Sequence, residues 1–280
     1  MSLKNNIFFR LIKRLLTELP LYFPVFGRRK KIENLIVSFT SYPARINTLH
    51  MVVRSLLRQS ICAKNIVLYL GSDTPENAIP KKLKKLCKRG LLIKTGYEDL
   101  KPHKKYFFAM QEYPDNIIIT VDDDIMYEKN MIEHLYNSYK KYPDAVSARR
   151  VTKLTKSENK INSYNDFESE YTKETKPSAS LIAVGVGGVL YPPHILHKDA
   201  FNSELIKKTC LFTDDIWLKF MELKNNAKVV YVPSTLEKDL TVRSTQKSAL
   251  MIENIECGNR NDECIKAIQN ELSVNLAEFF

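Results

Sequence analysis

No run of about 18 apolar residues occurs in the 280-residue chain, which excludes a bilayer-spanning helix from the sequence reading. Cysteine is scarce, and the five present, Cys62, Cys87, Cys210, Cys257 and Cys264, are odd in number and show no C-x-x-C spacing. Neither a disulfide framework nor a cysteine-built zinc site is expected, and free thiols fit a reducing cytoplasm. The glycine fingerprints G-x-x-x-x-G-K-[ST] and G-x-G-x-x-G are both missing. No internal repeat and no nucleic-acid reading module is found, so a nucleic-acid partner is not expected.

What is present suffices for a folded domain. Hydrophobic residues make up 44% and charged residues 27%, which supports one sizeable core rather than disorder. The net charge of +11 favours anionic partners such as nucleotide phosphates or an acidic membrane surface. Residues 1–31 form a segment of their own. Ile7, Phe8, Leu11, Ile12, Leu15 and Leu16 recur at helical spacing among Lys4, Arg10, Lys13 and Arg14. Pro20 and Pro24 interrupt the pattern, and Arg28, Arg29, Lys30 and Lys31 follow. The segment has no small-residue cleavage site. A basic amphipathic helix of this kind lies on anionic lipid or packs on the domain.

Apolar runs at 35–40, 66–70, 91–95, 117–121 and 145–148 read as buried strands. Helices are expected from a cap at Asn47 to Leu57, and over 81–89, 103–111 and 128–142. Later helices are expected over 213–224 and 261–272, with a strand over 228–232. Regular alternation of strand and helix predicts an α/β domain over 32–280, with a mostly parallel, Rossmann-like sheet flanked by helices. Ligands of such sheets sit beyond the carboxyl ends of strands. The polar stretch 151–176 lacks a period and reads as a long loop, either a flexible one facing an acceptor or a disordered one.

Asp122, Asp123 and Asp124 directly follow the apolar run Ile117 to Val121. Crowded carboxylates raise one another's pKa unless a cation intervenes, and a hard divalent ion prefers such oxygens. Mn²⁺ or Mg²⁺ there would neutralise a departing diphosphate. A solvated acidic turn is the plain alternative, and a phosphatase-type Asp-x-Asp nucleophile is another. Asp214 and Asp215 open a predicted helix, as caps or with one of them as a general base. Gly185, Gly187 and Gly188 permit close backbone approach or a tight bend. His194 and His197 have a spacing two zinc ligands could use, without a third nearby. Tyr42 and Tyr191 are candidates for ring stacking or for core packing. The basic run Lys81 to Arg89 is a solvated helix face or an attractor of acidic lipid or glycan.

Four blocks stand in order: Ser38-Phe39-Thr40-Ser41-Tyr42-Pro43-Ala44-Arg45-Ile46, Val121-Asp122-Asp123-Asp124-Ile125, Gly185 to Pro193, and Thr213-Asp214-Asp215-Ile216-Trp217-Leu218. Together they resemble the GT-A-fold glycosyltransferases of bacterial polysaccharide gene clusters, and distantly the exostosin-type transferase domain. The resemblance implies hexosyl or related transfer from a nucleoside-diphosphate sugar, uridine-linked by expectation. The acceptor would be a growing glycan, lipid-linked or free, of a lipopolysaccharide or capsule. It implies a nucleotide-binding part over about 32–150 and an acceptor-binding part over about 151–280. Asp122 and Asp124 would be metal ligands. Thr40, Arg45, Asp73, Asp122 and Asp123 would meet the nucleotide, and Lys104 or Lys105 the diphosphate. Asp215 would be the base, with Asp214 its neighbour or a cap. The family's late metal-binding histidine has no counterpart, since no His follows His197; Arg243 or Lys247 is a candidate replacement at the diphosphate. Cytoplasmic residence, with peripheral attachment to the inner membrane face, is expected. A metal-dependent phosphotransferase and a non-catalytic binding module are the rival readings.

Overall fold

The computed structural model describes residues 19–23, 29–234, 240–242 and 260–280. The first half runs β1 (Lys31–Ser41), α1 (Leu49–Leu56), β2 (Cys62–Gly71), α2 (Lys81–Lys84), β3 (Leu91–Tyr97), α3 (Lys104–Glu112), β4 (Ile117–Thr120), β5 (Ile125–Met126), α4 (Met131–Lys141) and β6 (Ala145–Ala148). The second half runs β7 (Val151–Lys153), β8 (Lys156–Ser157), β9 (Lys160–Ile161), β10 (Leu181–Ala183), β11 (Val189–Tyr191), α5 (Ser203–Thr209), α6 (Asp214–Lys224), β12 (Lys228–Tyr231), β13 (Leu240–Thr241) and α7 (Arg260–Leu272).

Seven strands form one sheet in the order β12-β6-β11-β4-β1-β2-β3. Every neighbouring pair is parallel except those made by β11, which runs antiparallel to both β4 and β6. The apolar runs are continuous because both faces of the sheet are covered. Side chains alternate between two layers, as a pleated strand requires. Val37 and Phe39 of β1, Leu68 and Leu70 of β2, and Ile119 of β4 pack with α1 and α4 residues such as Val52, Val53, Met131 and Leu135. Ile36, Val67, Tyr69 and Ile118 point the other way, towards Ala109 of α3. Trp217 and Phe220 of α6 fill a third cluster with Leu181, Val189 and Ile268.

The architecture predicted from alternation is therefore present, with three differences in detail. Thr48 rather than Asn47 is the cap of α1, and its hydroxyl turns back to the Arg45 carbonyl instead of to a helix N–H. The polar stretch 151–176 is partly ordered. In it β7 pairs with β10, β8 pairs with β9, and Asp262 accepts hydrogen bonds from Ser163 Oγ and the Tyr164 N–H, each at 2.7 Å. These pairings use backbone and short polar side chains, so no hydrophobic period announces them. The sheet also crosses residue 150, because β11 and β12 pair with β4 and β6. Most of the segment 1–31, and Arg243 and Lys247, lie outside the described residues.

The topology brings the carboxyl ends of β1, β2, β4 and β6 to one rim. The antiparallel β11 enters from that same rim and carries Gly185 to Gly188 into it.

Candidate active site

The three aspartates leave β4 at this rim and separate into different roles. Asp123 turns inward: Ser41 Oγ donates to its Oδ2 at 2.6 Å, and Arg45 Nη1 to its Oδ1 at 2.7 Å. Burial pushes the Asp123 carboxyl up, while Arg45 and Ser41 pull against it. Arg45 also lies 3.2 Å from Asp124 Oδ2. Burial lowers the Arg45 pKa, but Asp123 and Asp124 outweigh it and leave it raised. Asp123 and Arg45 thus clamp the loop after β1 to the loop after β4. Burial and then the charge of Asp122 push Asp124 up to about 6. The Tyr127 hydroxyl accepts the Asp122 N–H at 2.7 Å, which braces the turn from behind.

Lys105 is the centre of the site. Its ammonium is buried 3.0 Å from Asp122 Oδ1 and 2.9 Å from Asp214 Oδ2. Its carbonyl accepts a hydrogen bond from the buried Ser38 hydroxyl at 2.5 Å, fixing α3 against β1. Burial alone would lower its pKa, but Asp122, Asp214 and Asp215 hold it well above the usual lysine range. Gly185 closes over this ammonium. A Cβ there would stand 2.8 Å from Lys105 Nζ and 3.3 Å from Asp122 Oδ1. Gly187 and Gly188 have φ of +91° and +97°, a region open to glycine at little cost, so the block makes the close turn into β11.

Both acids at the head of α6 face the site, although adjacent helical positions diverge. Asp214 meets Lys105, and Asp215 Oδ1 accepts the Gly185 N–H at 3.1 Å. Neither is the cap, because Thr213 holds that position. Burial and then the Asp214 charge push the Asp215 carboxyl well above its usual range, against the pull of Lys105. Tyr164 faces Asp215 from the ordered part of the polar stretch. Burial first, then that carboxylate, pushes its phenol up to about 12.

The Thr40 hydroxyl donates to the Tyr69 carbonyl at 2.8 Å within the sheet. Asp73 is exposed just beyond β2, beside Asp99. The Lys104 ammonium is buried on Asp99, and so joins Asp73 rather than the acids after β4. Tyr42 lies under the Arg45 guanidinium, 5.4 Å from its ring centroid, whereas Tyr191 is core. His194 pairs with Asp115 and His197 with Asp199, so the two histidines do not converge. Tyr127 and Tyr164 escape a sequence reading because neither lies in any of the four blocks or in a charged or glycine-rich motif.

No group of three or more His, Cys, Asp or Glu among the described residues could cage a metal ion. Asp122 and Asp124 nevertheless suit a hard cation of another kind. Each keeps an oxygen that no other described side chain touches, and both are partly open, at 25% and 16% exposure. Two carboxylates fit an ion such as Mg²⁺ that takes its other oxygens from phosphate and water.

No protein-family model matches the chain, and no curated protein sequence matches it. Among solved structures it is similar to the mannosyltransferase PcManGT of Pyrobaculum calidifontis, in complex with GDP-Man and Mn²⁺. The TM-score is 0.51 at 13% identity, over 92% of this chain and 71% of that one. The fold is GT-A. A UDP-glucose pyrophosphorylase of Acinetobacter baumannii is similar at TM-score 0.45 and 13% identity, over 86% of this chain and 99% of that one. At 13% identity the likeness to the mannosyltransferase is one of fold. The rim described above is thus the carboxyl edge of a GT-A sheet.

Proposed function

We propose that the protein is a divalent-metal-dependent glycosyltransferase that moves a sugar from a nucleoside diphosphate, with uridine as the nucleoside, to a glycan acceptor, free or lipid-linked. One observation carries the reading. A single ammonium, that of Lys105, touches both Asp122 just after β4 and Asp214 at the head of α6. Transfer between two bound molecules needs donor and acceptor held within reach of each other, and this contact joins the loop after β4 to the head of α6.

In this scheme Asp122 and Asp124 hold Mn²⁺ or Mg²⁺, which supplies charge neutralisation at the diphosphate. Arg45 and Asp123 keep that turn rigid. Asp73 and Thr40 border the base and ribose, and Lys105 supplies positive charge where the diphosphate departs. Asp215 takes the acceptor hydroxyl proton. A carboxyl held above its usual range is the stronger base once ionised, the direction that general base catalysis requires.

The test is a panel of sugar nucleotides with Mn²⁺ and glycan acceptors, run beside phosphate esters. Transfer from one nucleotide sugar is expected, and Asp215→Asn lowers kcat by roughly 10²- to 10⁴-fold with nucleotide affinity retained. Turnover of phosphate esters alone would assign the rim to a phosphotransferase. Unchanged kcat in the variant would remove Asp215 from the role of base.

A further inference from the structure

A second charged feature lies at the other end of α1, away from the acidic rim. Arg54 follows His50 by four residues on one face of that helix, and Arg58 stands in the turn just past its end. Arg29 stands beside its last turn, with Nη1 donating to the carbonyls of Leu57 at 2.8 Å and Gln59 at 3.1 Å. Arg89 ends the basic stretch after α2, whose Leu83 and Leu86 pack against the same core as Val53 and Leu57. Burial and then the charges of Arg54, Arg29 and Arg58 lower the Arg89 pKa, so Arg89 stands in the field of the other three. None of the four is paired with a carboxylate among the described residues. A cluster of like charges without acids is costly to the folded protein unless an anion is its partner.

The cluster borders apolar side chains left in solvent. Leu19, Tyr22 and Phe23 are 52%, 51% and 57% exposed. The arginines contact Tyr22 and Phe23 directly. The Arg54 guanidinium lies 4.6 Å from the Tyr22 ring centroid, and Arg58 Nη1 donates to the Phe23 carbonyl at 2.5 Å. Arginine forks beside aromatic and aliphatic tips match a surface with phosphate oxygens outside and hydrocarbon beneath. Nucleic acid would accept the charge but offers no partner for Leu19.

We propose that Arg29, Arg54, Arg58 and Arg89, with Leu19, Tyr22 and Phe23, form a docking face for an anionic lipid bilayer. Arg45 precedes α1 at the rim and Arg58 follows its far end, about 12 Å of helix away. Docking through this face leaves the carboxyl edge of the sheet open to its substrates. The inference rests on described residues alone and is independent of the reaction assigned to the rim.

The experiment is co-sedimentation of the full chain with vesicles of phosphatidylcholine alone or mixed with phosphatidylglycerol, at low and high salt. Wild type is expected to sediment only with the anionic vesicles and to be released by salt. The double variant Arg54→Glu/Arg58→Glu is expected to lose at least about tenfold in partitioning. Should that variant fail to fold, Arg89→Glu carries the test, since no hydrogen bond among the described residues depends on Arg89; a loss is again expected. Wild type that ignores anionic vesicles, or reversed charges that leave sedimentation unchanged, overturns the proposal. So does loss of single-stranded oligonucleotide binding in these variants with vesicle binding intact, which would assign the face to nucleic acid.

Discussion

His103 shows how one buried side chain ties this fold to pH. It is enclosed behind the site, with Nε2 2.8 Å from the Cys210 carbonyl and Nδ1 3.1 Å from the Tyr106 hydroxyl. The carbonyl can only accept, so Nε2 carries the proton of a neutral ring. Burial holds the imidazole down to about 4, from 6.5 in the open chain. Between those values the unfolded chain binds the extra proton and the folded one does not. The stabilisation is therefore complete above pH 6.5 and drains as pH falls through 4, a span worth about 3 kcal/mol. Urea unfolding across this range is expected to show that slope in wild type and a flatter one in His103→Gln. Equal slopes would mean that the ring is not buried neutral.

At the scale of elements, α6 carries two kinds of charge. Its head presents Asp214 and Asp215 to the site. Its middle buries Lys219 and Glu222 at 1% exposure each, with the ammonium 3.6 Å from Oε2 and no hydrogen bond to either charged group among the described residues. Burial lowers the lysine and raises the glutamate, more than their attraction offsets. A pair so poorly bonded does little for stability, yet removing one member strands the other. The double variant Lys219→Met/Glu222→Leu is expected to match or exceed wild type by about 1–4 kcal/mol in chemical denaturation. Glu222→Leu alone is expected to lose about 3–5 kcal/mol. A double variant as unstable as the single one would show that the pair has partners that stabilise it.

At the scale of the whole molecule, the rim joins loops from both halves of the chain, so ligands there bind the folded state only. Mn²⁺ and UDP together are expected to raise the melting temperature, by a stabilisation of about 2.7 kcal/mol at a hundredfold excess over Kd. Either one alone should give less, because two carboxylates leave coordination positions for phosphate. Asp124→Ala should erase the joint effect in a differential scanning measurement. Additive shifts from the two ligands would separate the metal from the nucleotide.

Much of this was legible in the chain, because period and punctuation are local properties. The run Ile117 to Ile119 sends alternate side chains to two cores wherever it sits in the sheet, and Asp122 to Asp124 must follow it at the rim. Tertiary structure alone decided what those acids meet. Lys104 and Lys105 are neighbours in sequence but point about 100° apart on a helix, so the docking of α3 sends one to Asp99 and the other between Asp122 and Asp214. The reversed β11, the Asp123–Arg45 clamp and the gathering of arginines around the end of α1 arise in the same way. Each depends on contacts between residues far apart in the chain, and such contacts leave no period to read.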